Sequence, residues 1–172
     1  MSPWTTHKEN PEAGNAYIKQ FIMALAEHCD KSGYVWEIYS NGASEDVAYI
    51  NGACQEMGIN ACKIAPAPRR PKELIERITS YDFIVGFRMH THIIAHSFNI
   101  PTIGFIWDDK IRDYAMQMDL MDRFLELDAT DKQVIHAFKD VINSNLQPTI
   151  PKDRVLSSYF LEQSIKRLLQ QV

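Results

Sequence analysis

Residues 84–110 read IVGFRMHTHIIAHSFNIPTIGFIWDDK. The stretch is entered through Phe83-Ile84-Val85-Gly86-Phe87, a near-continuous apolar run of the kind shown by a strand covered on both faces. A helix over about 89–98 follows. Then come a second buried strand, Ile100-Pro101-Thr102-Ile103-Gly104-Phe105-Ile106, and a further helix beginning near Asp109. Strand and helix alternating with short connections argue for a parallel α/β sheet with helices on both faces.

The alternation continues on either side. Asn10-Pro11-Glu12 supplies an N-cap, a proline at the first helical position and an acid in the first turn. Tyr17, Ile18, Phe21, Ile22, Leu25 and Cys29 then recur at helical spacing until Gly33. Tyr34-Val35-Trp36-Glu37-Ile38-Tyr39 is a predicted strand, Ser44 with Glu45 and Asp46 opens a second helix that Gly58 closes, and residues 59–64 are strand-like. The loop Pro66-Ala67-Pro68-Arg69-Arg70-Pro71 leads into a third helix through Ile78. Phe124-Leu125-Glu126-Leu127 is a candidate short edge strand, and helices are expected at about 130–143 and 153–170, with a hinge at Asn145–Pro151. The fold expected is a Rossmann-like doubly wound parallel sheet, a single domain over residues 1–172 with a C-terminal helical segment from about 130 to 172. The pattern opens on a helix, although the first strand of such a sheet is central. Either Ser2–Thr6 supply a stub of that strand or the chain begins mid-fold, and the second reading is favoured.

A length of 172 residues is one domain's worth, and 45% hydrophobic, 10% aromatic and 23% charged residues exclude a disordered chain, a collagen-like repeat and a small disulfide scaffold. The formal net charge of −4 gives no long-range attraction to nucleic acid or an anionic membrane, but it is compatible with a local basic pocket for a small anion. Cys29, Cys54 and Cys62 cannot all pair and none sits at CxxC spacing, which suits reduced thiols in a cytosolic protein. No apolar run reaches the roughly 18 residues of a membrane helix and no leader opens the chain. A cytoplasmic protein with no transmembrane segment is expected.

Polar residues appear where the apolar strands stop. Arg88, His90 and His92 follow the first strand of residues 84–110, and Trp107, Asp108 and Lys110 follow the second. In open α/β sheets ligands bind beyond the carboxyl ends of the strands, and a helix start there offers free N–H groups and partial positive charge to an anion. Arg88 adds a planar fork for phosphate or carboxylate, His90 a group that exchanges a proton near neutral pH, and Lys110 a second cation. Each has a plainer reading: Arg88 in a structural ion pair, His90 and Asp108 capping helices. Residue spacing serves both equally for Arg88, His90 and Asp108. His92 and His96, four apart, have metal-pair spacing, but no carboxylate or cysteine sits at a fitting distance. The intervening Ile93, Ile94 and Ala95 favour solvated or satisfied packing histidines and no metal. Arg69, Arg70 and Lys72 follow strand 59–64 and could reach the same edge, though such a run is usually solvated surface.

Val85-Gly86-Phe87-Arg88-Met89-His90, Pro101 and Trp107-Asp108-Asp109-Lys110 resemble the second half of the polysaccharide pyruvyl transferase family. There a strand reading like Val-Gly-x-Arg-x-His leads to a short helix, a proline in the next strand and Tyr-Asp-x-Lys. Ser2-Pro3-Trp4 is similar to the segment leaving the first strand of that half. The resemblance implies one half of a GT-B-like pair of Rossmann-like domains. It also implies transfer of an enolpyruvyl-derived unit from phosphoenolpyruvate to a sugar of a cell-surface or exopolysaccharide, forming a ketal and releasing phosphate. It makes His90 the candidate acid, Arg88 the donor-anion ligand, Lys110 and Asp108 further donor-site residues, and it asks for no cofactor or metal. The partners implied are phosphoenolpyruvate and a saccharide acceptor, with a missing N-terminal acceptor domain, inactivity of the chain alone, and a peripheral membrane association open to the full-length enzyme. Trp107 departs from the family's tyrosine. Two other readings stand beside this one: a degenerate binding or dimerisation module, and a nucleotide-sugar glycosyltransferase domain, against which no Gly-rich loop follows any strand.

Overall fold

The structure, a computed structural model, describes residues 11–143. Ser2–Thr6, the Asn145–Pro151 hinge and the helix expected at 153–170 lie outside the described residues. Residues 11–70 and 128–136 form one unit and residues 71–127 and 137–143 a second.

The first unit is built on two amphipathic helices, α1 (Pro11–Ser32) and α2 (Ser44–Glu56). Ile18, Phe21 and Cys29 of α1 and Ile50, Ala53 and Cys54 of α2 are buried in it, and burial raises the thiol pKa values of Cys29 and Cys54. Exposed Lys19 and Glu56 form an ion pair between the helices. The Tyr17 hydroxyl donates to the Ala129 carbonyl at 2.6 Å, and burial with nearby Asp131 and Asp128 pushes its pKa up to about 12.

The strands expected at 34–39 and 59–64 are here a single parallel bridge between Ile38 and Ile64. The Ile38 N–H donates to the Lys63 carbonyl at 2.7 Å, and the Ala65 N–H donates to the Ile38 carbonyl at 2.8 Å. Two local features stop the pairing from extending. The Asn60 side chain accepts from the Cys62 N–H at 3.0 Å and caps a 3₁₀ turn over Ala61–Lys63, which curls the chain away just before the bridge. On the other side Val35 is 100% exposed, and Trp36 turns to donate to Asp30 and to lie under the Lys63 ammonium. A β-branched, aromatic run needs a covered face to become a strand; residues 34–37 have none.

The second unit holds α3 (Pro71–Ile78), β1 (Ile84–Gly86), α4 (Met89–Ser97), β2 (Thr102–Ile106), α5 (Asp109–Gln117), a 3₁₀ turn (Met121–Arg123) and β3 (Phe124–Glu126). The strands form a parallel sheet in the order β1-β2-β3, with β3 at an edge as its short length suggested. Among the described residues the strand order does not reverse. The α/β class and parallel pairing are as expected, consistent with a Rossmann-like fold. A last helix, α6 (Asp131–Asn143), follows; its Phe138 ring meets Phe83 edge-on at 5.1 Å.

β2 is buried along its whole length. Side chains alternate faces along a strand, so Thr102, Gly104 and Ile106 share one face while Ile103 and Phe105 share the other, where Phe87 stacks on Phe105 at 4.6 Å. Gly86, Gly104 and Phe124 form one row across the sheet. The two glycines leave the surface flat, and the Phe124 ring lies across Gly104: a Cβ there would stand 2.2 Å from the ring. Ile106, Ile111, Ala115 and Leu120 complete the cluster around Phe124.

Both crossover helices end alike. Asn99 (φ 57) and Asp119 (φ 56) take the left-handed conformation that closes a helix. The next N–H, of Ile100 or Leu120, reaches back to Ala95 or Ala115 at 2.9 Å and turns an apolar side chain into the core. Because Phe124 is buried and cannot swing aside, Gly104→Ala is expected to lower stability by about 1–3 kcal/mol, read by urea denaturation; an unchanged midpoint would show that the ring relaxes freely.

Candidate functional site

β1 stops at Gly86, and Arg88 is the N-cap of α4, with extended backbone (φ −91, ψ 120) and a carbonyl that accepts from the Thr91 N–H at 2.9 Å. The Arg88 side chain makes no capping bond and is half-buried, and His90, in the first turn of α4, is exposed. β2 stops at Ile106, and Asp108 is the N-cap of α5: its Oδ1 accepts from the Lys110 N–H at 2.8 Å. Capping is thus a role Asp108 does perform. Lys110 lies exposed in the first turn of α5. β1 and β2 are adjacent and parallel, so their carboxyl ends, with Arg88 and His90 after one and Trp107, Asp108 and Lys110 after the other, lie at one edge of the sheet. Arg69 and Arg70 are exposed in the first unit, while Lys72 forms an exposed pair with Glu76 at 3.9 Å, the kind of contact that contributes little.

Trp107 fastens the turn after β1. Its indole N–H donates to the Phe87 carbonyl, tying the end of β2 to the residue before Arg88. The preceding carbonyl, Gly86, is held from the other side of the turn by His92, whose Nε2 lies 3.1 Å from it.

That bond is the last of a connected series. His92 Nδ1 lies 2.9 Å from Thr102 Oγ1, the same oxygen lies 2.9 Å from His96 Nε2, and His96 Nδ1 lies 2.7 Å from the Tyr114 hydroxyl. His92 (0% exposed), His96 (1%) and Thr102 (0%) are fully buried. The rings are packed as well as bonded: His92 meets Phe124 at 4.9 Å and His96 stacks on Tyr114 at 5.9 Å. Burial pushes His92 down to about 4, against the raising effect of the Gly86 hydrogen bond. Burial, and then the nearby His92 and Arg123, push His96 down to about 3. Burial also raises Tyr114. Near neutral pH both rings are therefore neutral and the phenol keeps its proton.

With both rings neutral, the protons have one arrangement. The Gly86 carbonyl only accepts, so His92 carries its proton on Nε2 and its Nδ1 must accept. Thr102 spends its hydroxyl proton on His92, so His96 must donate from Nε2 and accept at Nδ1 from Tyr114. All four ring nitrogens are engaged by protein groups, which fills the positions a metal would need; the two histidines are satisfied packing residues, and fully buried ones. Arg123, 4% exposed, contributes positive charge near His96, with Asp122 Oδ2 at 4.0 Å from its Nε.

Residue spacing marked Arg88, His90, Trp107, Asp108 and Lys110 at this edge. It missed Thr102 and Tyr114 and the joint role of the two histidines. The signal was present as two histidines one turn apart, flanking the apolar Ile93-Ile94-Ala95, on a helix followed by a strand that opens with threonine.

A family model described as polysaccharide pyruvyl transferase matches residues 2–109, well over half of the 172 residues, ending one residue short of Lys110. No curated protein and no solved structure matches the chain.

The neutral buried histidines carry a pH dependence. Both folded-state values are depressed below the ordinary 6.5, so the stability is present above about pH 6.5 and is lost as pH falls toward 4, where the unfolded chain binds protons the folded one refuses. The slope is about 1.4 kcal/mol per pH unit per histidine. Urea midpoints measured from pH 7 to pH 5 should fall accordingly, with His96→Gln showing a shallower fall; a flat profile would contradict neutral buried rings.

Proposed function

Because the chain belongs to the polysaccharide pyruvyl transferase family, we propose that its second unit carries the donor-binding rim, taking phosphoenolpyruvate at the carboxyl ends of β1 and β2. The observation carrying this reading is that Arg88 and His90 at the start of α4, and Lys110 at the start of α5, follow the carboxyl ends of two adjacent parallel strands. A phosphate and a carboxylate need fixed cations and N–H donors, and two helix starts with an arginine and a lysine are suited to that work.

The residue types fit the chemistry of pyruvate ketal formation. Phosphoenolpyruvate is an enol ester of phosphoric acid, and protonation of its methylene carbon makes the methyl group and leaves C2 electron-poor. A sugar hydroxyl adds at C2 and loses its proton; the C2–O bond to phosphate breaks with the electron pair leaving on inorganic phosphate. A second hydroxyl then closes the ketal. His90, exposed in the first turn of α4, is the proposed carbon acid. Arg88 holds the donor's negative charge through protonation, and Lys110 assists as phosphate departs. Asp108 acts by capping α5 and so aiming the first turn that carries Lys110. No cofactor enters the scheme.

Acceptor recognition on a cell-surface or exopolysaccharide, a partner acceptor domain in a GT-B-like arrangement, inactivity of this chain without that domain, and cytoplasmic action belong to the same proposal. Two tests bear on it. Titration of the isotope-labelled chain with phosphoenolpyruvate should shift the Arg88–His90 and Lys110 amide resonances with millimolar affinity, and Arg88→Ala should weaken binding by about tenfold or more; no shift at 10–20 mM ligand (roughly saturating for a millimolar site) would defeat the donor reading, and a stronger response to uridine diphosphate would transfer the site to a nucleotide sugar. His90→Gln should keep donor binding within about threefold while removing solvent-deuterium incorporation into the methylene carbon, or ketal formation, wherever the complete enzyme shows either; retained turnover would remove His90 as the acid.

A further inference from the structure

We propose that Tyr114, His96, Thr102 and His92 act as one positioning device that fixes where Arg88 and His90 stand, by holding the Gly86 carbonyl from within the core. Only the binding readout below rests on the donor-site reading; the geometry is independent of it.

The chain of contacts starts far from the edge and ends on it. Tyr114 belongs to α5, His96 and His92 to α4, Thr102 to the first residue of β2, and Gly86 to the last residue of β1. Four elements of the second unit are thus joined by four directional bonds of 2.7–3.1 Å, the central two between buried groups and the terminal two, at Tyr114 and Gly86, part-buried. Apolar packing alone allows a helix to slide along a sheet with small loss. A buried donor or acceptor that loses its partner pays the full desolvation cost, so this series admits one register of α4 against β1 and β2. His92 lies two residues after His90 on the same helix, and Gly86 lies two residues before Arg88 on the same strand end. The two ends of that bond therefore bracket Arg88-Met89-His90. Trp107, on the neighbouring carbonyl of Phe87, is the second fastening.

The single proton arrangement is what makes the device specific. His96, Thr102 and His92 are each donor on one side and acceptor on the other, so removing any of these three leaves unmatched atoms on both sides of it, while Tyr114 donates at the end of the series. Thr102 is the centre: its hydroxyl alone joins the two imidazoles. The four are positioning residues; none of them needs to touch a substrate, and His92 packs against the Gly86 end of the glycine row, where a Cβ would stand 3.8 Å from its ring.

The test uses the full chain with Thr102→Val, which removes the hydroxyl and keeps the shape, and Thr102→Ser, which keeps the hydroxyl. Imidazole nitrogen spectra of the parent should show His92 and His96 neutral with the proton on Nε2 in both; an Nδ1–H form of either overturns the ordering. In Thr102→Val the amide resonances of Arg88, Met89 and His90 should shift or split while those of α1 and α2 stay, and phosphoenolpyruvate affinity should fall about tenfold; Thr102→Ser should restore both. A folded Thr102→Val chain whose Arg88–His90 resonances match the parent overturns the proposal, because loss of a purely stabilising hydroxyl lowers the denaturation midpoint without moving those signals. If the parent binds no phosphoenolpyruvate, the donor reading fails by itself and the resonances decide the positioning role. Should Thr102→Val not fold, Tyr114→Phe, which deletes only the terminal donor, is expected to displace the same three resonances by a smaller amount, and their constancy there is equally decisive.

Discussion

A backbone carbonyl can accept a hydrogen bond and can never give one, and at Gly86 that restriction propagates through the centre of the second unit. His92 must present a proton to it, Thr102 must present one to His92, and the requirement passes through His96 to Tyr114. The sheet surface below is shaped to permit this. Glycine at 86 and 104 keeps one row of the sheet flat, so that the Phe124 ring and the His92 ring meet above it. A Cβ at position 104 would displace the Phe124 ring on which His92 packs, and the hydrogen bonds of His92, which tolerate a few tenths of an ångström, would lengthen first.

The two units contrast in what holds them. In the first, helices carry nearly all the order and the intended strands meet at one residue pair, Ile38 with Ile64. In the second, a short sheet is framed by helix ends that are all locally specified: Asp108 and the Arg88 carbonyl at the starts, Asn99 and Asp119 at the finishes. These terminal devices set the direction of each crossover, and hence where the first turns of α4 and α5, with their basic side chains, are delivered. A protein of net charge −4 can in this way offer an anion a positive locale made of few side chains and much backbone.

Most of this architecture is readable from residue order because its causes are local. Pro71, Asp108 and the apolar runs 84–86 and 102–106 act over a turn or two, and the helices and the β1-β2-β3 alternation follow from them. The strands at 34–39 and 59–64 were misjudged because strand formation depends on a face being covered, and no pattern within Tyr34–Tyr39 states that Val35 stays in solvent. Arg88, His90 and Lys110 were recognisable as polar residues placed just past apolar strands. The roles of Thr102 and Tyr114 were hidden for the opposite reason. Threonine in a strand and tyrosine in an amphipathic helix are ordinary residues there, and only their meeting with the histidines across 18 residues of chain gives them meaning.

The uniform direction of the donors has an electrostatic side. From Tyr114 to Gly86 each donor gives its proton onward along the series, so the last donor, His92 Nε2, faces the carbonyl at the end of β1. The peptide dipoles of α4 have their positive pole at the same place, since its N-terminus begins there. Four uncharged side chains thus bring a proton donor to the same turn at which the helix presents its positive end. Buried dipoles of this kind are screened by salt far less than surface charges are, so their influence on the first turn of α4 should persist at ionic strengths that silence the lysine at the rim.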